Sequence, residues 1–282
     1  MIVTRFAPSP SGRLHLGHAF SAAIGHARAE EDGGKFRLRI EDLDQTRCKP
    51  EFVESIYEDL RWLGLDWDEP VLVQSQRATA YAAALDRLRQ RGLAYACFCT
   101  RADIALSLTA PHGDAAISYP GTCRGLPDDP ERRVTTPHCW RLDSPRALEL
   151  AALPSWTEHG GRRFTAEPGD IGDAILARKD APASYHLSSV VDDAASGVTL
   201  VVRGADLRAS TPIQRLLQQL LGLPEPVYLH HPLVTHRDGR RLAKRDLAPT
   251  LAAMREAGID GPQLARELLA GKLPLGFAFG GA

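Results

Sequence analysis

His15, Gly17 and His18 have the residue types and the spacing to handle a phosphate group. They follow Arg5-Phe6-Ala7-Pro8-Ser9-Pro10-Ser11-Gly12, in which Pro8, Pro10 and Gly12 break regular structure. Ile2 to Phe6 reads as a strand and Leu14 to about Glu30 as an Ala-rich helix. A strand, a turn and a helix start leave backbone N–H groups pointing at a potential anion. Histidines three apart share a face there, and Gly17 lets a planar group approach the backbone. Taken alone, the stretch fits a capped core helix with two surface histidines about equally well. A second candidate is the run Lys35 to Ile40, which alternates apolar and charged residues and ends in Glu41, Asp42 and Asp44. A carboxylate at the end of a parallel strand lies where open α/β sheets bind ligands, although a solvated acidic loop also fits. A third is Arg237 to Arg245, a basic cluster containing Lys244. Lysine is the rare cation in this arginine-rich chain, and a mobile point charge suits a migrating pyrophosphate better than a rigid fork. A solvated basic loop or a general RNA patch is the plainer reading.

The elements that must position these residues follow from pattern. With 282 residues, 44% apolar and 24% charged, the chain suits one large or two modest globular domains. A net charge of −1 excludes global attraction to nucleic acid, so any RNA contact needs a local patch. No apolar run reaches membrane-spanning length and Met1 to Arg5 opens no signal peptide, so a cytoplasmic protein without membrane partners is expected. Pro50 to Leu63 and Ala78 to Arg91 read as helices closed by Gly64 and Gly92, with Val71 to Val73 a strand between them. The succession β-α-β-α-β-α predicts an α/β fold with a doubly wound parallel sheet. It is interrupted from Ala96 to about Trp140, an irregular stretch that reads as an insertion. The expected division is residues 1–95 and 141–235 as two halves of the sheet domain, 96–140 as the insertion, and 236–282 as a loop and short helical segment. Tyr185 to Val191 resumes an apolar run before Asp192-Asp193, and Ala209 to Leu221 reads as a helix. The Gly-rich end from Gly271 is expected to be poorly ordered.

Five cysteines, an odd number, argue against a disulfide framework and for metal binding or burial. Cys97 and Cys99, with Tyr119 and Cys123 four apart, can put three thiolates and a phenolate around zinc. Buried free thiols fit the same spacing as well as a metal does, tyrosine is an unusual ligand, and His112 or water could be the fourth donor. Cys48 and Cys139 read as packing residues.

The H-x-G-H spacing of His15 to His18 resembles the first signature of class I aminoacyl-tRNA synthetases. Arg241-Leu242-Ala243-Lys244-Arg245 resembles the second, with Arg241 and Ala243 replacing a lysine and a serine and Lys244 retained. Together with Arg39-Ile40-Glu41-Asp42 and Val201-Val202-Arg203-Gly204, these stretches look like the glutamyl/glutaminyl group of that family. The resemblance implies a Rossmann-type catalytic domain with an inserted zinc-binding subdomain and a short helical C-terminal part. It implies that Arg5, Ala7 and Ser9, with Phe6 and Pro8 of the same loop, bind L-glutamate. Glu41 would take its α-ammonium, and Tyr185 and Arg203 would complete that pocket. ATP, with Mg2+, would lie against His15, Gly17, His18 and Lys244, and His15, His18 and Lys244 would be catalytic. One structural Zn2+ on Cys97, Cys99, Tyr119 and Cys123 is implied in the same way.

Full-length members continue into a helical anticodon-binding part, whereas this chain stops soon after Lys244 and carries Ala205 where they usually carry Glu. That favours the family's short paralogues, monomers that transfer glutamate to queuosine in the anticodon of tRNA(Asp). The competing expectations are a truncated enzyme charging a tRNA 3′ end, a small-molecule nucleotidylyl transferase, and a non-catalytic RNA-binding relic.

Overall fold

The computed structural model describes residues 1–100, 102–104, 119–240, 242 and 249–280. The chain opens as β1 (Val3–Phe6), α1 (Leu16–Glu31), β2 (Lys35–Ile40), α2 (Pro50–Leu63), β3 (Asp68–Val73) and α3 (Ala78–Gln90). β1, β2 and β3 pair in parallel in that order. β1 is buried along its whole length, as a central strand covered on both faces must be. Pro50 starts α2 and Gly64, at φ 72°, stops it in the left-handed conformation that glycine adopts without steric cost.

β4 (Ala94–Cys97) departs from the expected alternation. It does not extend the parallel sheet but pairs antiparallel with β5 (Cys139–Leu142), which pairs antiparallel with β8 (Ile175–Arg178). Between them lie α4 (Pro130–Thr135), α5 (Ser144–Leu150) and the hairpin of β6 (Ser155–Thr157) and β7 (Arg163–Thr165). Cys97 faces Cys139 and Tyr95 faces Arg141 in the β4–β5 register.

The apolar run after Tyr185 is a helix, α6 (Tyr185–Ala195), capped by the Ser184 hydroxyl. β9 (Leu200–Gly204), α7 (Thr211–Leu221) and β10 (Val227–His231) follow, and β9 and β10 pair in parallel. β9 runs beside β1. The Thr199 N–H donates to the Val3 carbonyl at 2.9 Å, and the Val3 N–H to Thr199 Oγ1 at 2.9 Å. The parallel strands therefore lie in the order β3-β2-β1-β9-β10. Chain order reverses between β1 and β9, the switch point at which open α/β sheets form a ligand crevice.

The chain ends in β11 (Leu233–His236), α8 (Leu251–Glu256), α9 (Gly261–Leu269) and β12 (Phe277–Gly280). The expected disorder after Gly271 is corrected by β12, which pairs antiparallel with β11. Alternation explains it, because Phe277 and Phe279 pack into the core of α1, α2 and α9, and Phe279 meets Phe20 at 4.9 Å. A second core joins α3, α6 and α7 through Tyr81, Leu88, Leu187, Leu216 and Leu217. Among the described residues no helix is long and apolar enough to cross a membrane.

Candidate functional site

The β1–α1 loop is pinned by its neighbours. The Glu41 and Lys49 N–H groups donate to the Pro8 and Pro10 carbonyls at 3.0 and 3.1 Å. His15 is the N-cap of α1, and its Nδ1 accepts the Gly17 N–H at 3.2 Å. His18 Nδ1 accepts the His15 N–H at 3.1 Å, which closes a capping box made of two imidazoles. A ring whose Nδ1 accepts a backbone N–H carries its proton on Nε2, so both histidines are held as Nε2–H donors. Their centroids lie 3.8 Å apart. Gly17 touches the His15 ring closely, since a Cβ there would come within 3.2 Å of it.

A cavity of about 470 Å³ opens at the carboxyl ends of β1 and β9. Arg5, Phe6, Ala7, Pro8 and Ser9 form one wall, and His15, Gly17 and His18 a second. Glu41, Tyr185 and Arg203 also line it. The fold thus gathers every residue expected around glutamate and ATP except Lys244, which lies outside the described residues.

The three charged groups in this wall differ in state. Arg5 is buried and committed, with Nε on Asp193 at 3.1 Å and Nη1 on the Val202 carbonyl at 2.9 Å. Arg39 joins the same Asp193 carboxylate and also holds Glu41 at 3.0 Å. Burial alone would push the Asp193 carboxyl up, but Arg39 and Arg5 together hold it below its ordinary value. Glu41 goes the other way: burial raises its carboxyl despite Arg39. Arg203 is buried, and its guanidinium is held by neutral acceptors: Gln214 Oε1 at 2.6 Å, Thr211 Oγ1 at 2.8 Å, His230 Nε2 at 3.1 Å and Tyr185 Oη at 3.3 Å. Burial, then the charge of Arg203, pushes His230 down to about 4, so its ring is neutral near pH 7. Its Nδ1 donates to Glu158 at 2.7 Å.

Asp193, Arg39, Gln214, Thr211, His230 and Glu158 were not singled out from sequence as site residues. The available cue was the pair Asp192-Asp193 ending an apolar run, because acids inside a buried segment need cationic partners.

The Cys97, Cys99 and Cys123 sulfurs lie within 4.8 Å of one another, with Cys99 and Cys123 3.5 Å apart. Tyr119 Oη is 3.7 Å from Cys99 Sγ and accepts the Cys123 N–H at 2.7 Å. Tetrahedral zinc at about 2.3 Å from sulfur needs sulfurs roughly 3.8 Å apart, so this donor set fits the ion. His112 lies outside the described residues. Cys139, expected as a packing residue, stands opposite Cys97, and hydrogen bonding with Cys139 outweighs burial in drawing the Cys97 thiol down to about 4.

The catalytic-domain model of class I tRNA synthetases (E and Q) matches residues 1–270. The chain belongs to that family. It is 46% identical over 275 residues to the glutamyl-Q tRNA(Asp) synthetase of Rhodobacter capsulatus, covering 94% of this chain and 99% of the relative. Identity to the protein of that name from Nocardia farcinica is 48% over 273 residues, covering 96% of this chain and 84% of the relative. The crystal structure of a glutamate-tRNA synthetase from Elizabethkingia anophelis superposes with a TM-score of 0.80 at 26% identity, covering 95% of this chain. This synthetase chain spans 61% of that neighbour's length. Membership of the family makes it a ligase-type enzyme.

Replacing Asp193 by Asn leaves two buried guanidinium groups without their carboxylate, and should cost about 3–5 kcal/mol in denaturant unfolding near neutral pH. The loss should shrink in acid. The depressed Asp193 pKa gives stability above the ordinary carboxylate range that disappears as pH falls through the folded value.

Proposed function

We propose that this synthetase activates L-glutamate with MgATP to glutamyl-adenylate, then transfers glutamate to a cyclopentene-diol hydroxyl of queuosine in the anticodon of tRNA(Asp). It would act as a cytoplasmic monomer. The observation that carries the activation step is the buried Arg203 guanidinium, held by neutral acceptors in one cavity with the Glu41 carboxylate and the imidazole-capped start of α1. An arginine fork without a carboxylate of its own suits an acidic substrate, and a half-buried carboxylate nearby suits its ammonium. The neighbouring structure of a glutamate tRNA ligase from Elizabethkingia meningosepticum, in complex with its amino acid, supports glutamate as that substrate.

In the first step the glutamate α-carboxylate attacks the α-phosphorus and pyrophosphate leaves. Arg203 and Tyr185 orient glutamate together with the Arg5–Ser9 wall, and Glu41 holds its ammonium. The Nε2–H groups of His15 and His18 stabilise charge developing on the α-phosphate, and Lys244 holds the departing phosphates. Positioning and electrostatics supply the acceleration, so no covalent enzyme intermediate is required. In the second step the acceptor hydroxyl attacks the activated carbonyl and AMP leaves. The names of the similar proteins support queuosine as acceptor, and an anticodon loop can splay an unpaired base into a cavity. A structural zinc ion on Cys97, Cys99, Tyr119 and Cys123 would tie the β4 end to the 119–123 turn.

Offering labelled glutamate and ATP to tRNA(Asp) with and without queuosine should label only the queuosine-containing RNA, in its anticodon fragment. Label at the 3′ end, or on tRNA(Glu), would refute the acceptor. Glutamate affinity by calorimetry should weaken as pH falls through the raised Glu41 value, since an ammonium needs the ionised carboxylate. Glu41→Gln should bind about tenfold more weakly and lose that dependence. Metal analysis should return one zinc per chain, and Cys123→Ser with full zinc content would eliminate the site.

A further inference from the structure

Arg141 is 7% exposed and sits in β5, one strand from the cysteines. Its guanidinium carbon lies 3.9 Å from the centre of the Tyr119 ring, its Nη1 donates to the Asp173 carbonyl at 2.9 Å, and it also interacts with the Cys97 sulfur. Its Nε is buried without a hydrogen-bond partner. The carboxylate of Asp173, whose carbonyl Arg141 meets, is already taken by Ser144, Tyr95 and Arg124. Among the described residues no salt bridge joins Arg141 to an acid, whereas the buried Arg5, Arg39 and Arg215 each have one. A buried cation without a counter-charge is costly, so the surroundings should provide an anion.

Charge counting identifies it. Zinc with three thiolates and a phenolate is doubly negative, and singly negative if the phenol keeps its proton; in either state the cluster has excess negative charge. We propose that Arg141 is the counter-charge of the metal cluster, a positioning residue that holds Tyr119 against the ion and offsets the charge of Cys97. This rests on the zinc reading above. A cation against the aromatic face stabilises the electron-rich ring of a coordinating tyrosine. The same contact accounts for an arginine buried beside a group of thiols, where an apolar side chain would fill the space at lower desolvation cost.

The test uses Arg141→Gln, which keeps a donor for the Asp173 carbonyl but loses the charge, beside Arg141→Lys, which keeps the charge but loses the planar fork. Zinc affinity of the full chain is measured by competition with a chromogenic chelator, and the visible spectrum after cobalt(II) substitution reports the donor set. Arg141→Gln should bind zinc about 10- to 100-fold more weakly, the usual effect of losing a group that supports a metal ligand. Arg141→Lys should stay close to the parent, and the cobalt spectrum of the Gln variant should shift as Tyr119 is released. Parent-like affinity in Arg141→Gln overturns the proposal, and so does an equal loss in both variants, which would mean that packing rather than charge matters. A parent chain that binds no zinc removes the metal reading itself, and is told apart from these outcomes before either variant is made.

Discussion

The carboxylate of Asp193, shared between Arg5 and Arg39, is the interaction on which the site depends. It joins three elements that meet at the switch point: α6 supplies the acid, β1 supplies Arg5 and β2 supplies Arg39. Three buried charges in contact are stable only if each is paired and hydrogen-bonded, so small displacements of the strand ends are penalised. Arg39 extends the restraint to Glu41, and Glu41 in turn is held to the Pro8 carbonyl through its backbone. The adjacent Asp192 does the same for the start of α3, accepting from Gln74, Arg77 and Tyr81. One turn of one helix thereby sets the loop after β1, the end of β2 and the start of α3.

This arrangement separates two uses of arginine. Arg5 and Arg39 share Asp193, and Arg39 also pairs with Glu41, so both cations have carboxylate partners within the fold. Arg203 is held just as firmly, but by neutral groups, so its charge is not consumed by a direct carboxylate partner. His230 makes that possible. As a neutral ring it accepts from Arg203 and donates to Glu158, placing an acid one imidazole away from the guanidinium. A protonated His230 could not accept that bond and would repel Arg203, which is why burial and the arginine together push it down to about 4. The cavity retains a cation that is rigid and still able to attract an anion.

Local features of the fold could be read from the sequence. Pro8, Pro10 and Gly12 mark the turn, Gly64 and Gly92 mark helix ends, and Lys35 to Ile40 alternates as β2 does. The residues gathered at the cavity were largely those whose local setting was unusual. Long-range pairing was hidden: Arg39 and Asp193 are 154 positions apart, and no local pattern connects them. Short strands were hidden too. β4 and β5 have four residues each, too few for a period, and β4 follows α3 as the next parallel strand would. The glycines after Gly271 masked Phe277 and Phe279, whose alternation gives β12 an apolar side. Arg141 and Cys139 face Tyr95 and Cys97 only because β4 and β5 pair antiparallel in that register.

The capping box of α1 shows how one local constraint serves two ends. Aspartate would cap the helix as well, yet as an acceptor-only group it would leave no donor. Imidazole has two nitrogens, so a ring that spends Nδ1 on the helix carries its proton on Nε2. Using two such rings in a reciprocal box fixes both tautomers at once, because each backbone N–H can only be met by an acceptor. Donors fixed by the fold need no reorganisation when charge develops beside them.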